Sequence, residues 1–232
     1  MLKLIKLELQ RINLRPYFIS TIVFGVVLTA FTYFVAYVAQ VERETQFMTY
    51  GNIFRFTGAI SIIMFSILSA AMYSCFIIGE YSGKRLALLF SYPVNRKKIF
   101  LAKVIIVFLF VVLSMLFCTA IPFAVFMVSE SFAQIVPDTL TGGILTEVCT
   151  TTAISLLAVN AIGLISVRIG WIKKSVPATL ISSFILSGIY GNIAISGAEK
   201  PMVLLLMVSV SLVAIVVILV TLSNKIYHME VE

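Results

Sequence analysis

One histidine, three cysteines and a charged share of only 12% leave this 232-residue chain short of the usual materials of catalysis. A soluble domain carries roughly 25% charged residues. The lone His228 stands in the C-terminal tail. No two-histidine metal motif and no Ser/His or Cys/His pair can therefore be assembled on the apolar segments. Cys75, Cys118 and Cys149 lack metal-ligand spacing and fall in or at the ends of apolar runs, where they read as small packing residues. No G-x-x-x-x-G-K-[ST] phosphate loop occurs, nor the E-E-x-x-x-R pattern of membrane-embedded proteases. The expectation is a chain with no catalytic, metal-binding or cofactor-binding residue of its own.

Charge is missing in a second, periodic way. The stretches Tyr17–Ala39, Phe56–Ile78, Val104–Ser129, Val148–Val167, Ser175–Ala198 and Pro201–Asn224 contain no charged residue. A helix rises about 1.5 Å per residue, so roughly 20 residues cross the ~30 Å hydrocarbon layer. The fold class expected is an all-α integral membrane protein with six transmembrane helices, over about 17–39, 56–78, 104–129, 146–167, 175–197 and 201–224. No loop is long enough to bury a water-soluble core, so residues 1–232 read as a single transmembrane domain. The first run is too long for a signal-peptide core, and it reads as a retained span.

What charge there is lies unevenly. With both termini on the cytoplasmic side, 14 of the 17 basic residues fall inside, leaving Arg43, Arg55 and Lys200 outside. Glu42, Glu44, Glu130, Asp138 and Glu199 fall outside as well. The positive-inside rule accounts for this asymmetry, and with it for the net charge of +7, without a nucleic-acid partner. The localisation expected is multi-pass in the cell membrane.

Residues 1–15 place Leu2, Ile5, Leu9 and Ile12 on one helical stripe beside Lys3, Lys6, Gln10 and Asn13. That is a basic amphipathic helix suited to the membrane interface and its lipid headgroups. It serves either as an orienting flank or as a helix that also touches a cytoplasmic partner. Pro122 should kink or break the third span near its outer end. Pro137 and Gly142-Gly143 mark a bend, Trp171 reads as a ring at the headgroup level, and Gly197–Lys200 make a tight turn before Pro201.

Lipid gives helices no hydrophobic reason to associate, so small residues at four-residue spacing mark close contacts. Thr21, Gly25 and Thr29 share one face of the first span, and Ser183, Ser187 and Gly191 one face of the fifth. Ser66, Ala70 and Ser74 do so in the second. These faces pack either within the chain or, for the first and fifth spans, as a subunit interface or pathway lining. Asn160 and Asn192 each need a partner across helices. Glu147, the one acidic residue in an otherwise apolar stretch, stands in the early turns of the fourth span. There it is either solvated and stabilised by the helix dipole or part of an ion pathway.

The longest hydrophilic stretch joins the second and third spans, over residues 79–103. Glu80 ends the second span, Gly83 turns the chain, and Lys84–Phe90 can form a short helix that Pro93 stops. Arg96, Lys97, Lys98 and Lys103 then anchor the third span to the inner leaflet. An acidic residue and a glycine after the second helix, a short helix, a Leu-x-x-Pro-[VI]-x-Arg-like stretch and a lysine opening the third helix resemble the ABC-2 family of membrane permeases. The matching positions are Glu80, Gly83, Leu89 or Phe90, Pro93, Val94, Arg96 and Lys103; Lys84 departs from the threonine that often follows the glycine.

The resemblance implies a permease subunit of an ABC exporter, paired with a second copy or a paralogue. Separate ATP-binding subunits, which hold the ATP and Mg, would drive it. Glu80, Gly83, Lys84, Arg85, Leu89, Pro93 and Arg96 would couple to those subunits. Thr21, Gly25, Thr29, Ser183, Ser187 and Gly191 would lie at the subunit contact or pathway. An amphipathic peptide, antibiotic or lipid-like cargo suits spans rich in Phe and Met, and self-resistance to antimicrobial peptides is one use of such export. Two other readings stand beside it: an ATP-independent immunity or sensor protein, and an ion-coupled transporter using Glu147.

Overall fold

The computed structural model describes residues 2–42, 49–79, 96–132, 143–197 and 201–227. Among these, the regular structure is helical. A short helix α1 (Leu2–Arg11) precedes α2 (Arg15–Glu42), α3 (Tyr50–Tyr73), α4 (Arg96–Phe132), α5 (Gly143–Lys173), α6 (Val176–Ser196) and α7 (Pro201–Tyr227). A π-helical turn, Ser74–Ile78, continues α3. Helices α2 to α7 are each long and apolar enough to span a bilayer, so this is a six-span membrane protein.

The helices outrun the uncharged stretches. α3 starts at Tyr50 and takes Gly51, Asn52 and Arg55 into its first turns. α4 begins at Arg96 and holds Lys97, Lys98 and Lys103 within it. A charged residue at a helix end meets headgroups or protein rather than hydrocarbon, so the apolar stretch marks the span and not the helix. The same helix runs through Pro122 without interruption, against the expected break. Neighbouring helices and local adjustments satisfy the backbone that proline disturbs in a membrane bundle.

α3 is the hub. It packs most extensively against α5 and α6, and also against α2 and α4, while α5 supports α7 and α2 lies along α4. Close approach of α3 and α5 rests on Gly163, where any Cβ would overlap Ser69 and come within 3.2 Å of the Tyr73 ring. The main core runs along this hub: Phe65, Met72, Phe76, Phe100, Val107, Met115, Ile162 and Trp171. Trp171 is only 8% exposed, so it belongs to this core and not to the headgroup belt the sequence suggested. A second cluster of Val35, Tyr50, Ile53, Phe54 and Phe126 closes the other end. There Phe54 meets Phe123 and Phe126 edge-on, at ring separations of 5.0 and 5.8 Å. Glu130, assigned from the sequence to the outer side, is only 2% exposed and accepts a 2.9 Å hydrogen bond from the Tyr50 hydroxyl.

The turn from α5 to α6 is tight. Lys174 takes a left-handed conformation (φ 46°), the Ser175 N–H returns to the Gly170 carbonyl at 3.1 Å, and the Lys174 N–H to that of Trp171. That is a Schellman-type helix end carried by a lysine where glycine costs least. Lys174→Gly is expected to raise thermal stability by about 0.5–1 kcal/mol and Lys174→Ile to lower it, measured by thermal unfolding in detergent.

Candidate functional site

Two clusters of charge stand at opposite ends of the bundle. One end gathers Lys3, Lys6, Arg11 and Arg15 with Lys97, Lys98, Lys103, Lys173 and Lys225; we call it the basic end. Its contacts tie the elements together: Lys97 Nζ donates to Asn224 Oδ1 of α7 at 3.1 Å.

At the basic end Lys103 is fully buried rather than anchored in a leaflet. Its Nζ donates to the Phe76 carbonyl in the π-helical turn at 3.1 Å and lies 3.8 Å from Glu8 Oε2 of α1. An ammonium removed from water needs partners of this kind. The single lysine therefore joins the N-terminal helix, the end of α3 and the base of α4. This corrects the reading of α1. Glu8 turns inward, at 9% exposure, with Ile5 and Ile12 half-buried on its flanks, while Leu9 of the expected apolar stripe faces out. The pairing of Glu8 with Lys103 was not legible, because a glutamate on a short basic helix reads as solvated. The signal that could have raised it is weak: a lysine inside an otherwise apolar segment. The π-helical turn is a further feature that the sequence did not announce, and such turns concentrate at functional sites.

Of the residues expected to couple to a partner, Glu80, Gly83, Lys84, Arg85, Leu89 and Pro93 lie outside the described residues, as does the short helix expected over 84–90. Arg96 opens α4. The boundaries of this segment are described: Gly79 on one side, with its N–H bonded to the Ser74 carbonyl at 2.9 Å, and the Lys103 node close by.

The small-residue faces meet other helices of the same chain. A Cβ at Gly25 would touch Cys118 Sγ of α4 at 3.4 Å, and the Cys118 thiol donates to the Thr21 carbonyl at 3.3 Å. Thr29 bonds back to the Gly25 carbonyl at 2.8 Å. Ser183 and Ser187 have no exposed surface, and a Cβ at Gly191 would stand 3.7 Å from the Ala59 carbonyl of α3. Ser66 and Ala70 are likewise wholly buried. Side chains covered in this way reach a second copy only if α6 parts from α3. Asn160 donates to the Leu156 carbonyl and Asn192 to that of Gly188, so each finds a partner on its own helix.

At the opposite end Glu147 of α5 forms an ion pair with Arg55 of α3, and Arg55 also donates to Asn52 Oδ1 at 3.2 Å. The two side chains keep 32% and 26% of their surface. Gly51 makes room, since a Cβ there would stand 2.5 Å from a Glu147 carboxylate oxygen. Below the pair a cleft opens, lined by Phe54, Thr57, Gly58 and Ser61 of α3, Thr119 and Pro122 of α4, and Val148, Thr151, Thr152 and Ser155 of α5.

Comparison with known proteins bears on these two ends. The family model described as ABC-2 family transporter protein matches residues 4–188. The uncharacterized protein YcbO of Bacillus subtilis (strain 168) is 24% identical over 185 residues, which span 80% of this chain and 81% of that protein. No solved structure matches.

Proposed function

Because the chain belongs to the ABC-2 family of transporter proteins, we propose that it is the permease subunit of an ABC exporter. In this reading its basic end and both termini face the cytoplasm, two copies or a copy and a paralogue form the pathway, and separate ATP-binding subunits dock beneath. Those subunits bind the ATP and Mg and perform the hydrolysis. The cargo is amphipathic: a peptide, an antibiotic or a lipid-like molecule.

The observation that carries the reading beyond family membership is the Lys103 node. Residues 80–95 connect α3 to α4, and the two ends of that connection are held to each other and to α1 by one buried ammonium. A push on the connection from an ATP-binding partner would therefore move the end of α3, the base of α4 and α1 together. Since α3 is the hub, such a displacement reaches α5 and α6 directly. A ligand shifts an equilibrium only by its differential affinity for the two states. The ATP-binding subunit must accordingly grip the 80–95 segment differently in its two nucleotide states. Ser183 and Ser187 suit a pathway that opens between α3 and α6, for parting those helices uncovers hydroxyls. The Ser183 hydroxyl is buried with no hydrogen-bond partner among the described residues.

An ion-coupled mechanism through Glu147 finds less support. The Glu147 carboxylate is already engaged by the Arg55 guanidinium of α3.

The test is assembly. Expressed with its candidate ATP-binding subunit, the full chain is expected to co-purify with it, and Glu80→Ala is expected to weaken that association or its cargo-stimulated ATP hydrolysis. Resistance or export that persists after the ATPase is inactivated would sink the reading and favour an ATP-independent immunity protein.

A further inference from the structure

We propose that the seam where α3 meets α5 and α6 opens to water from the basic end, and that its polar side chains line that half of the transport path. The opening needs no partner; only its use by cargo rests on the permease reading.

Contacts between the helices fix the register of this seam. Gly51 lies against Glu147, Gly58 against Thr151, Ser69 against Gly163 and Ile78 against Gly170, so α3 and α5 run side by side in one direction. On α3, Ser66, Ser69 and Tyr73 share a face at spacings of three and four, and Ser69 and Tyr73 adjoin Gly163. On α5, Asn160 and Ser166 stand three residues either side of that glycine. α6 runs the opposite way, with Gly191 against Ala59, which brings Ser183 to the level of Ser66.

None of the six is more than 2% exposed. The hydroxyls of Ser66, Ser69, Tyr73, Ser166 and Ser183 and the Asn160 Oδ1 have no hydrogen-bond partner among the described residues. Other hydroxyls of the bundle solve this problem locally: those of Thr29, Thr57, Thr119 and Ser211 donate to carbonyls of their own helices at 2.7 to 3.0 Å. Nor does the seam hold space at its centre, since a Cβ at Gly163 would overlap Ser69 Oγ and stand 3.2 Å from the Tyr73 ring. Enclosed polar groups without partners cost free energy, and apolar side chains of similar shape would hold the three helices together better. Water entering between the helices removes that cost, so the polar row biases this contact toward opening. At the far end the Arg55–Glu147 pair ties α3 to α5, which leaves the basic end as the side that parts. The lining so exposed is neutral, five hydroxyls and an amide, and it suits the uncharged polar groups of an amphipathic cargo.

The full chain alone in nanodiscs, with its three cysteines replaced by alanine, would carry one new cysteine at a time. Ser69→Cys and Ser166→Cys are expected to react with a charged, water-soluble thiol reagent about tenfold faster than Val111→Cys. Val111 is equally buried, but in the apolar core. Tyr73→Phe removes one stranded hydroxyl; it is expected to raise thermal stability and to slow labelling at Ser166→Cys about threefold. Equally slow labelling at all three positions, or a loss of stability in Tyr73→Phe, would overturn the proposal and leave the seam as a fixed polar contact. Neither result depends on whether an ATP-binding subunit ever associates, which the co-purification above tests separately.

Discussion

Lys103→Met is expected to destabilise the protein by about 3–5 kcal/mol, the cost of stripping the partner from a buried charge. The variant leaves Glu8 enclosed without its counter-ion and the Phe76 carbonyl without its donor. Thermal unfolding in detergent reads the loss of stability, and limited proteolysis of α1 reads its release from α4. Glu8→Leu combined with Lys103→Met removes both charges, and such apolar replacement of a buried pair is often neutral or better. That double variant should regain most of the stability. It separates the two roles of the node, because packing is restored while the polar link between α1, the π-helical turn and α4 is not. In the exporter complex proposed above, the ATP-binding subunits paired with the double variant are expected to hydrolyse ATP without responding to cargo. A double variant that is stable and fully coupled would reduce the node to packing.

Gly170→Val is expected to cost about 3 kcal/mol and to loosen the joint between α5, α6 and the π-helical turn. Even a Cβ at this position would overlap Thr179 Oγ1 and stand 2.7 Å from Ile78 Cδ1. Gly170 also accepts the bond from the Ser175 N–H that closes the α5–α6 turn. A valine therefore forces α6 away from α5 at the end where the Lys103 node lies. Gly170→Ala should show a smaller loss, partly recovered by Thr179→Ala, which removes the overlapped hydroxyl. Thermal unfolding of the three variants gives the coupling between the sites. Additive losses would mean that the two helices do not share this contact.

How much of this was legible follows from which interactions repeat along the chain. A span must be apolar for about 20 residues whatever its neighbours, so six uncharged stretches located six helices. The segment 79–103 resembled the family to which the chain belongs through residues close together in the sequence, and such a motif is local. The charge clusters were harder to see. Arg55 and Glu147 are 92 positions apart, and Glu8 and Lys103 are 95 apart. None of the four has its partner among its own sequence neighbours. Trp171 misled for the same reason: an aromatic ring near a span end is as compatible with a headgroup layer as with a core.

The distribution of apolar and basic residues alone determined that this is a helical membrane protein, how many times it crosses, and which ends gather positive charge. Periodicity could also mark where helices come close, because small side chains are needed there. Only the folded bundle decided which helix each close face meets, that α3 is the hub, that Glu8 is enclosed beside Lys103 and that Glu147 pairs with Arg55. The physical reason is that hydropathy is a property of one segment against lipid, whereas the burial of a charge depends on a counter-charge that another segment brings. No single segment contains that information.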